Sequence, residues 1–176
     1  MVYSYRIQMS AALGDFFQDR SGFSHNPFNP AWKEFHRLAR YLQWDKEEKA
    51  AEKQAFKDVL VKTFNVTYGT DENSLESWKA LCRSLRITPV PEKLKACREA
   101  VQAAHVNLVD LVDHPNTGEP VQLFTTEVEL SEYTRESKKF FPKENAYAGG
   151  LLKYLLRHII DPRTERGVRR TTRRRR

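Results

Sequence analysis

Cysteine is nearly absent from this chain: 176 residues contain only Cys82 and Cys97. A disulfide framework and a four-ligand zinc site both need more than that. Glycine is also sparse, at seven residues, and none falls into GxGxxG or GxxxxGK[ST], so the phosphate-cradling loops are missing. A serine elbow, HExxH and paired catalytic motifs are missing too. No apolar run approaches the roughly 20 residues of a membrane span. The longest candidates, Leu151-Leu152 and Leu155-Leu156, are split by Lys153 and Tyr154 and followed by Arg157. The N-terminus lacks a hydrophobic core region and a small-residue cleavage site, so it reads as the first helix of the mature fold and not as a signal peptide. These absences point to an intracellular, reduced protein, and the Asn65-Val66-Thr67 sequon is expected to stay unmodified. No cofactor and no metal are expected.

What is present is a strong segregation of charge. Lys and Arg total 30, Asp and Glu total 23, and the net charge is +7. Residues 163–176 hold eight arginines and one acid, Glu165, so they carry +7 alone. Residues 1–162 are left with 22 charges of each sign. The chain thus reads as a neutral helical domain over 1–162, without a basic face, and an arginine-rich tail over 163–176. A block of like charges repels itself, buries no apolar surface and seeks a polyanion. The tail is expected to be disordered without a partner. The apolar share of 40% supplies a core for the domain, and at this size one domain is the expectation.

Apolar periodicity predicts an all-α, compact bundle of about seven helices with at most one short strand. A first helix is expected from about Tyr5 to Gln18, then a loop over 21–29 with two Asn-Pro steps. Asn29 is the expected cap of a second helix, with Pro30 at its first position. Asp45 with Glu48 forms a capping box for a third helix over 46–67, ended by Gly69. Ser74 or Asn73 caps a fourth helix carrying Leu75, Trp78, Leu81, Cys82 and Leu85. Pro91 is expected to open a fifth, on which Leu94, Cys97, Val101, Ala104, Leu108 and Leu111 form one seam up to about Asp113. Residues 121–124 are the one candidate strand. Thr126 caps a sixth helix, Glu127 to Ser137, and a last helix is expected from about Asn145 to Ile160. Asp161-Pro162 marks the domain boundary.

Three segments, EFHRLARYLQW, LCRSLRITPVPEKLKACREAVQAAHVNLVDLVD and KKFFPKENAYAGGLLKYLLRHI, together resemble a family of small fungal proteins of unassigned function. The resemblance covers about Phe16 to Ile160. It implies an all-helical domain and carries over no activity, ligand or site residue.

The tail carries the sharpest functional expectation. Arg163, Arg166, Arg169, Arg170, Arg173, Arg174, Arg175 and Arg176 present guanidinium forks that match phosphate oxygens and stack on bases. They are candidate residues for nucleic-acid contact or, read as RRTTRRRR, for an import receptor. Thr171 and Thr172 sit in a setting that basophilic kinases recognise, and a phosphate there would cancel nearly two charges. In the domain, His105, His114, Asp110 and Cys97 lack the spacing of a metal set, and His105 is expected to pack at the core boundary. Cys82 and Cys97 are expected to be buried, inert thiols. Asn107, Asp110 and Asp113 stand at i, i+3 and i+6. They could bind a cation or cap a neighbouring helix, but a solvated face is the favoured reading. Gly149-Gly150 lies inside a helical pattern, which calls for a close packing contact or, less favoured, a ligand against the backbone.

The resulting expectation is a non-enzymatic binding protein. Its body docks a protein partner not yet identified, and its tail contacts nucleic acid non-specifically. The alternative is a protein-interaction module or effector whose tail serves only for nuclear import. An acidic protein is the other tail partner considered, and a nuclear location is favoured over a cytoplasmic one.

Overall fold

The computed structural model of the chain describes residues 12–18, 20, 22–142 and 150–162. Among these residues the fold is all-α, with seven helices and one minimal two-stranded ladder. Residues 12–18 are helical (α1), followed by α2 (Ala31–Tyr41), α3 (Lys46–Tyr68), α4 (Leu75–Ser84), α5 (Leu94–Ala103) and β1 (His105–Val106). Then come α6 (Leu108–Thr117), β2 (Leu123–Phe124), α7 (Glu127–Ser137) and a 3-10 turn over Gly150–Tyr154. No helix among them is long and apolar enough to cross a membrane.

The helix starts that were legible locally are where the sequence places them. Asp45 accepts from the backbones of Glu47 and Glu48 while Glu48 returns a bond to Asp45, a complete capping box. Ser74 caps α4 and Thr126 caps α7 through their hydroxyls. Gly69, at φ +86°, follows α3. Each of these devices joins residues at most four apart, so no tertiary context is needed to form them.

α3 is the spine. Phe56, Leu60, Val61, Phe64 and Tyr68 are buried along it, each contributing roughly 1.5–3 kcal/mol by leaving water. At one end an aromatic cluster ties α1, α2 and α3 together: Phe35 stacks on Phe56 at 4.8 Å, and Trp32 meets Phe56 edge-on at 4.9 Å. At the other end α4 packs against α5 through Leu81, Cys82, Cys97 and Val101, and Trp78 meets Tyr154 at 5.0 Å.

Four expectations need correction. The fifth helix is not continuous: it breaks into α5 and α6 around β1. Asn107 accepts from Val109 N and Asp110 N, which starts a new helix. The Arg157 guanidinium takes the carbonyls of Gln102 and Ala104 that a longer helix would have used. Cys97, Val101, Leu108 and Leu111 are buried on both sides of the break, so the apolar period hides it. α5 also starts at Leu94 and not at Pro91, whose carbonyl accepts the Cys97 thiol. α6 runs past Asp113 and contains Pro115.

The cap of α2 is the second correction. Its N-cap residue is Pro30, which offers no side-chain acceptor. Asn29 instead donates to the fully buried carboxylate of Glu34, and the α2 amide of Ala31 donates to Asp113 of α6 at 2.9 Å. The third correction concerns strands: His105 pairs with Phe124 and Val106 with Leu123, so two short strands form where at most one was expected.

The last helix is the fourth. Residues 143–149 lie outside the described residues, and 150–154 form a 3-10 turn in place of an α-helix. Leu151, Leu152 and Leu155 are buried as the pattern required. Gly150 has φ +61°, and a Cβ there would sit 2.6 Å from the Cα and O of Thr70. The close approach expected of the glycine pair is thus present at Gly150, against a loop backbone and not a crossing helix. Gly149 lies outside the described residues.

Candidate functional site

The N-terminal half of α6 and the face of α7 opposite it build a polar cluster inside an otherwise apolar body. Asn107, Asp110 and Asp113 project from successive turns of α6, which the 3.6-residue repeat places on one side. This row was expected to face solvent, but Asn107 and Asp113 are buried, at only 3% and 6% exposure. Asn107 caps its own helix through Oδ1 and ties α6 to α7 by donating Nδ2–H to Thr134 Oγ1 and to the Lys139 carbonyl, each at 3.0 Å.

Asp110 sits in a closed three-way arrangement. Its Oδ1 accepts from Lys139 Nζ at 2.6 Å and its Oδ2 from the Tyr133 hydroxyl at 2.7 Å, while Lys139 Nζ also donates to that hydroxyl at 3.0 Å. Burial first, then the bond to the Asp110 carboxylate, raises the Tyr133 phenol above its ordinary range. Burial pulls the Lys139 ammonium down, but its bonds to Asp110 and Tyr133 together outweigh this and hold it raised.

Asp113 forms the floor. Its Oδ1 receives the Ala31 amide, and its Oδ2 has no hydrogen-bond partner among the described residues. Desolvation pushes this carboxyl up to about 7, aided by the charge of Asp110 and opposed by the Ala31 amide and Lys139. A space of about 180 Å³ lies above it, lined also by Thr117, Glu119 and Gln122. Asp113 ties α6 to α2, and the other groups of the cluster tie α6 to α7 and the residues after it.

Beside this cluster lies a mainly apolar cavity of about 260 Å³ between α6, α7 and the C-terminal segment. Leu108, Leu130, Phe141 and Leu155 line it, and Arg157 crosses its wall. Phe140 and Ile160 line it as well and are 40% and 82% exposed.

The remaining sequence candidates are not gathered. His105 lies on β1 opposite Phe124, His114 bonds the Glu119 carbonyl through Nδ1 at 2.7 Å, and Cys97 is buried under Pro91. Among the described residues no three His, Cys, Asp or Glu side chains form a metal-ligating group. Cys82 is a buried thiol, pushed up to about 11 by burial first and by Cys97 next. The tail residues, Arg163 to Arg176 with Thr171 and Thr172, lie outside the described residues. Tyr133 and Lys139, which complete the polar cluster, carried no signal in the sequence: they stand 23 and 29 residues from Asp110.

Compared with models of protein families, with curated proteins and with solved structures, the chain finds no match.

Proposed function

We propose that this chain is a non-enzymatic nucleic-acid-binding protein: the arginine tail contacts the phosphate backbone without reading sequence, and the helical body docks a protein partner. The carrying observation is the charge split, with +7 in the last fourteen residues and none in the rest. Two features of the body support this reading. Asp110, Tyr133 and Lys139 bond one another across the cluster and Asp113 ties α6 to α2, which is a structural task. The apolar cavity rimmed by exposed Phe140 and Ile160 offers a surface of the kind a protein partner covers. A nuclear location and membership among the small fungal proteins belong to the same proposal.

The test is a mobility shift on a short mixed-sequence DNA duplex, with the parent chain and a full-length variant whose eight tail arginines are glutamine. If the tail's whole net charge engages phosphates, it contributes a slope of roughly -6 in log affinity against log salt. Exchanging the sequence of the duplex should leave affinity nearly unchanged, since phosphate contacts position without specifying. An unaltered shift from the glutamine variant would remove the tail from the reading. A variant that keeps its DNA affinity but loses nuclear entry would favour the import-only alternative.

A further inference from the structure

Residues 1–162 sum to zero charge, yet some of the described cations stand close together. On α2, Lys33, His36 and Arg40 stand at i, i+3 and i+7, and all three are exposed. Lys49 and Lys53 lie on the face of α3 that carries Phe56 and Leu60, one and two turns before them, and both are exposed. Lys138, also exposed, caps the C-terminus of α7 in the left-handed region, at φ +56°.

Three elements bring Arg40, Lys49, Lys53 and Lys138 around His36. Burial lowers His36 below its ordinary value, and every charged group that acts on it lowers it further: Lys49, Lys53, Arg40 and Lys138. No carboxylate enters that set. Among the described residues none of Lys33, Arg40, Lys49, Lys53 and Lys138 belongs to an ion pair. Of the acids on α3 beside these lysines, Glu48 belongs to the capping box and Glu52 pairs with Arg20. Trp32 forms the floor, with Lys53 Nζ 5.6 Å from its ring and the His36 ring 5.8 Å away. A set of cations held close without counter-charges is unfavourable on its own and is relieved by an external polyanion.

We propose that this cationic face, built by α2, α3 and the C-cap of α7, is a second docking surface for the phosphate backbone of nucleic acid. It rests on the nucleic-acid reading above and adds a contact region on the folded body, separate from the tail. Lysine and arginine offer only donors, which suits phosphate oxygens. Side chains one turn apart are spaced by about 5–6 Å, and duplex DNA carries a charge per ~1.7 Å of its axis, so several cations can be satisfied at once. An anionic membrane would require apolar side chains inserted beside the cations. On α2 and just past the α7 C-cap the large exposed ones are Tyr41, whose ring packs against Phe23, and Phe140, which lines the apolar cavity.

The experiment compares four full-length proteins on the same duplex DNA across a salt series, with folding checked by circular dichroism. They are the parent, the tail variant with glutamine for its eight arginines, a face variant (Arg40→Gln, Lys49→Gln, Lys53→Gln and Lys138→Gln), and a charge-matched control (Lys62→Gln, Arg83→Gln, Lys93→Gln and Lys95→Gln). The face variant should lose about 3 to 4 units of salt slope, at roughly 0.9 per phosphate contact, while the control loses less than one. The tail variant should keep the face's share. In the parent, nuclear magnetic resonance should show the His36 pKa rising when DNA is added, because phosphates offset the surrounding cations. An unchanged slope in the face variant overturns the face and leaves the tail reading intact. An equal loss in face and control variants reduces the effect to net charge and overturns it too. A tail variant that binds like the parent, beside a face variant that does not, sinks the tail reading and keeps the face. If the face variant loses binding only to phosphatidylserine vesicles and not to DNA, the surface is a membrane one and the proposal fails. Should the face variant fold poorly, the parent's His36 titration decides: no rise with DNA overturns the inference.

Discussion

The Tyr68 hydroxyl, at the end of α3, donates to the backbone carbonyl of Leu111 in the middle of α6 at 3.0 Å. The helical donor for that carbonyl would be the amide of residue 115, and residue 115 is proline. Pro115 has no N–H, so α6 carries a buried acceptor that its own backbone cannot satisfy. A side chain 43 residues away satisfies it, and the break in the ladder becomes a tie between two helices.

Tyr68→Phe should therefore cost more than an average hydrogen bond, about 1–3 kcal/mol, because it orphans a buried carbonyl. In a Pro115→Ala background the amide returns and the same change should cost less than about 1 kcal/mol. A double-mutant cycle from denaturant melts measures the difference. Equal costs in both backgrounds would mean that the hydroxyl and the proline are unrelated.

Asp113 sets a pH dependence. Its carboxyl is raised in the folded state from 3.8 to about 7, so between those values the native protein holds more protons than the unfolded chain. Stability should then fall as pH rises from about 4 to about 7 and level off above, by a few kcal/mol at most. Asp113→Asn keeps an acceptor for the Ala31 amide and should flatten this part of the profile. Asp113→Ala should flatten it as well and in addition uncap α2, at about 1 kcal/mol, across the whole range. Thermal melts of the three proteins from about pH 3 to about pH 8, an interval that brackets both values, separate the two effects.

The glycines at positive φ should divide by their surroundings. Gly118 sits at φ +73° with open space where a Cβ would go, so Gly118→Ala should cost only the left-handed penalty of roughly 1–2 kcal/mol. Gly150→Ala meets the Thr70 backbone as well, and a backbone cannot rotate aside; overpacking should bring its total above roughly 2 kcal/mol. Chemical denaturation gives both values, and similar costs would show that the Thr70 loop yields.

Leu108, 7% exposed at the start of α6, should lose about 2–5 kcal/mol on replacement by alanine, although it does not lie mid-helix. A loss below about 1 kcal/mol would place it at the surface. Arg157→Gln should loosen the junction of α5 with the C-terminal segment, since the guanidinium donates to four carbonyls there. Faster amide exchange at Ala104 and Leu155, with α3 unaffected, is the expected signature.

The sequence alone determined the fold class, most helix starts and the inward stripes. Asp45 with Glu48, Ser74 and Thr126 could be read directly because a cap joins residues at most four apart. Phe56, Trp78, Cys97 and Leu111 could be read because burial imposes a helical period on the chain. That same period concealed the break at Ala104 to Asn107, since both new helices keep their apolar side inward. Only the tertiary structure decided what the polar residues do. Asp113 caps a helix 82 residues away, and Tyr68 answers a proline on another element. Arg40, Lys49, Lys53 and Lys138 balance against acids when summed, yet stand together around His36 in space. Hydrogen bonds act over about 3 Å and screened Coulomb forces over about 10 Å of space, and a sequence orders residues only along the chain.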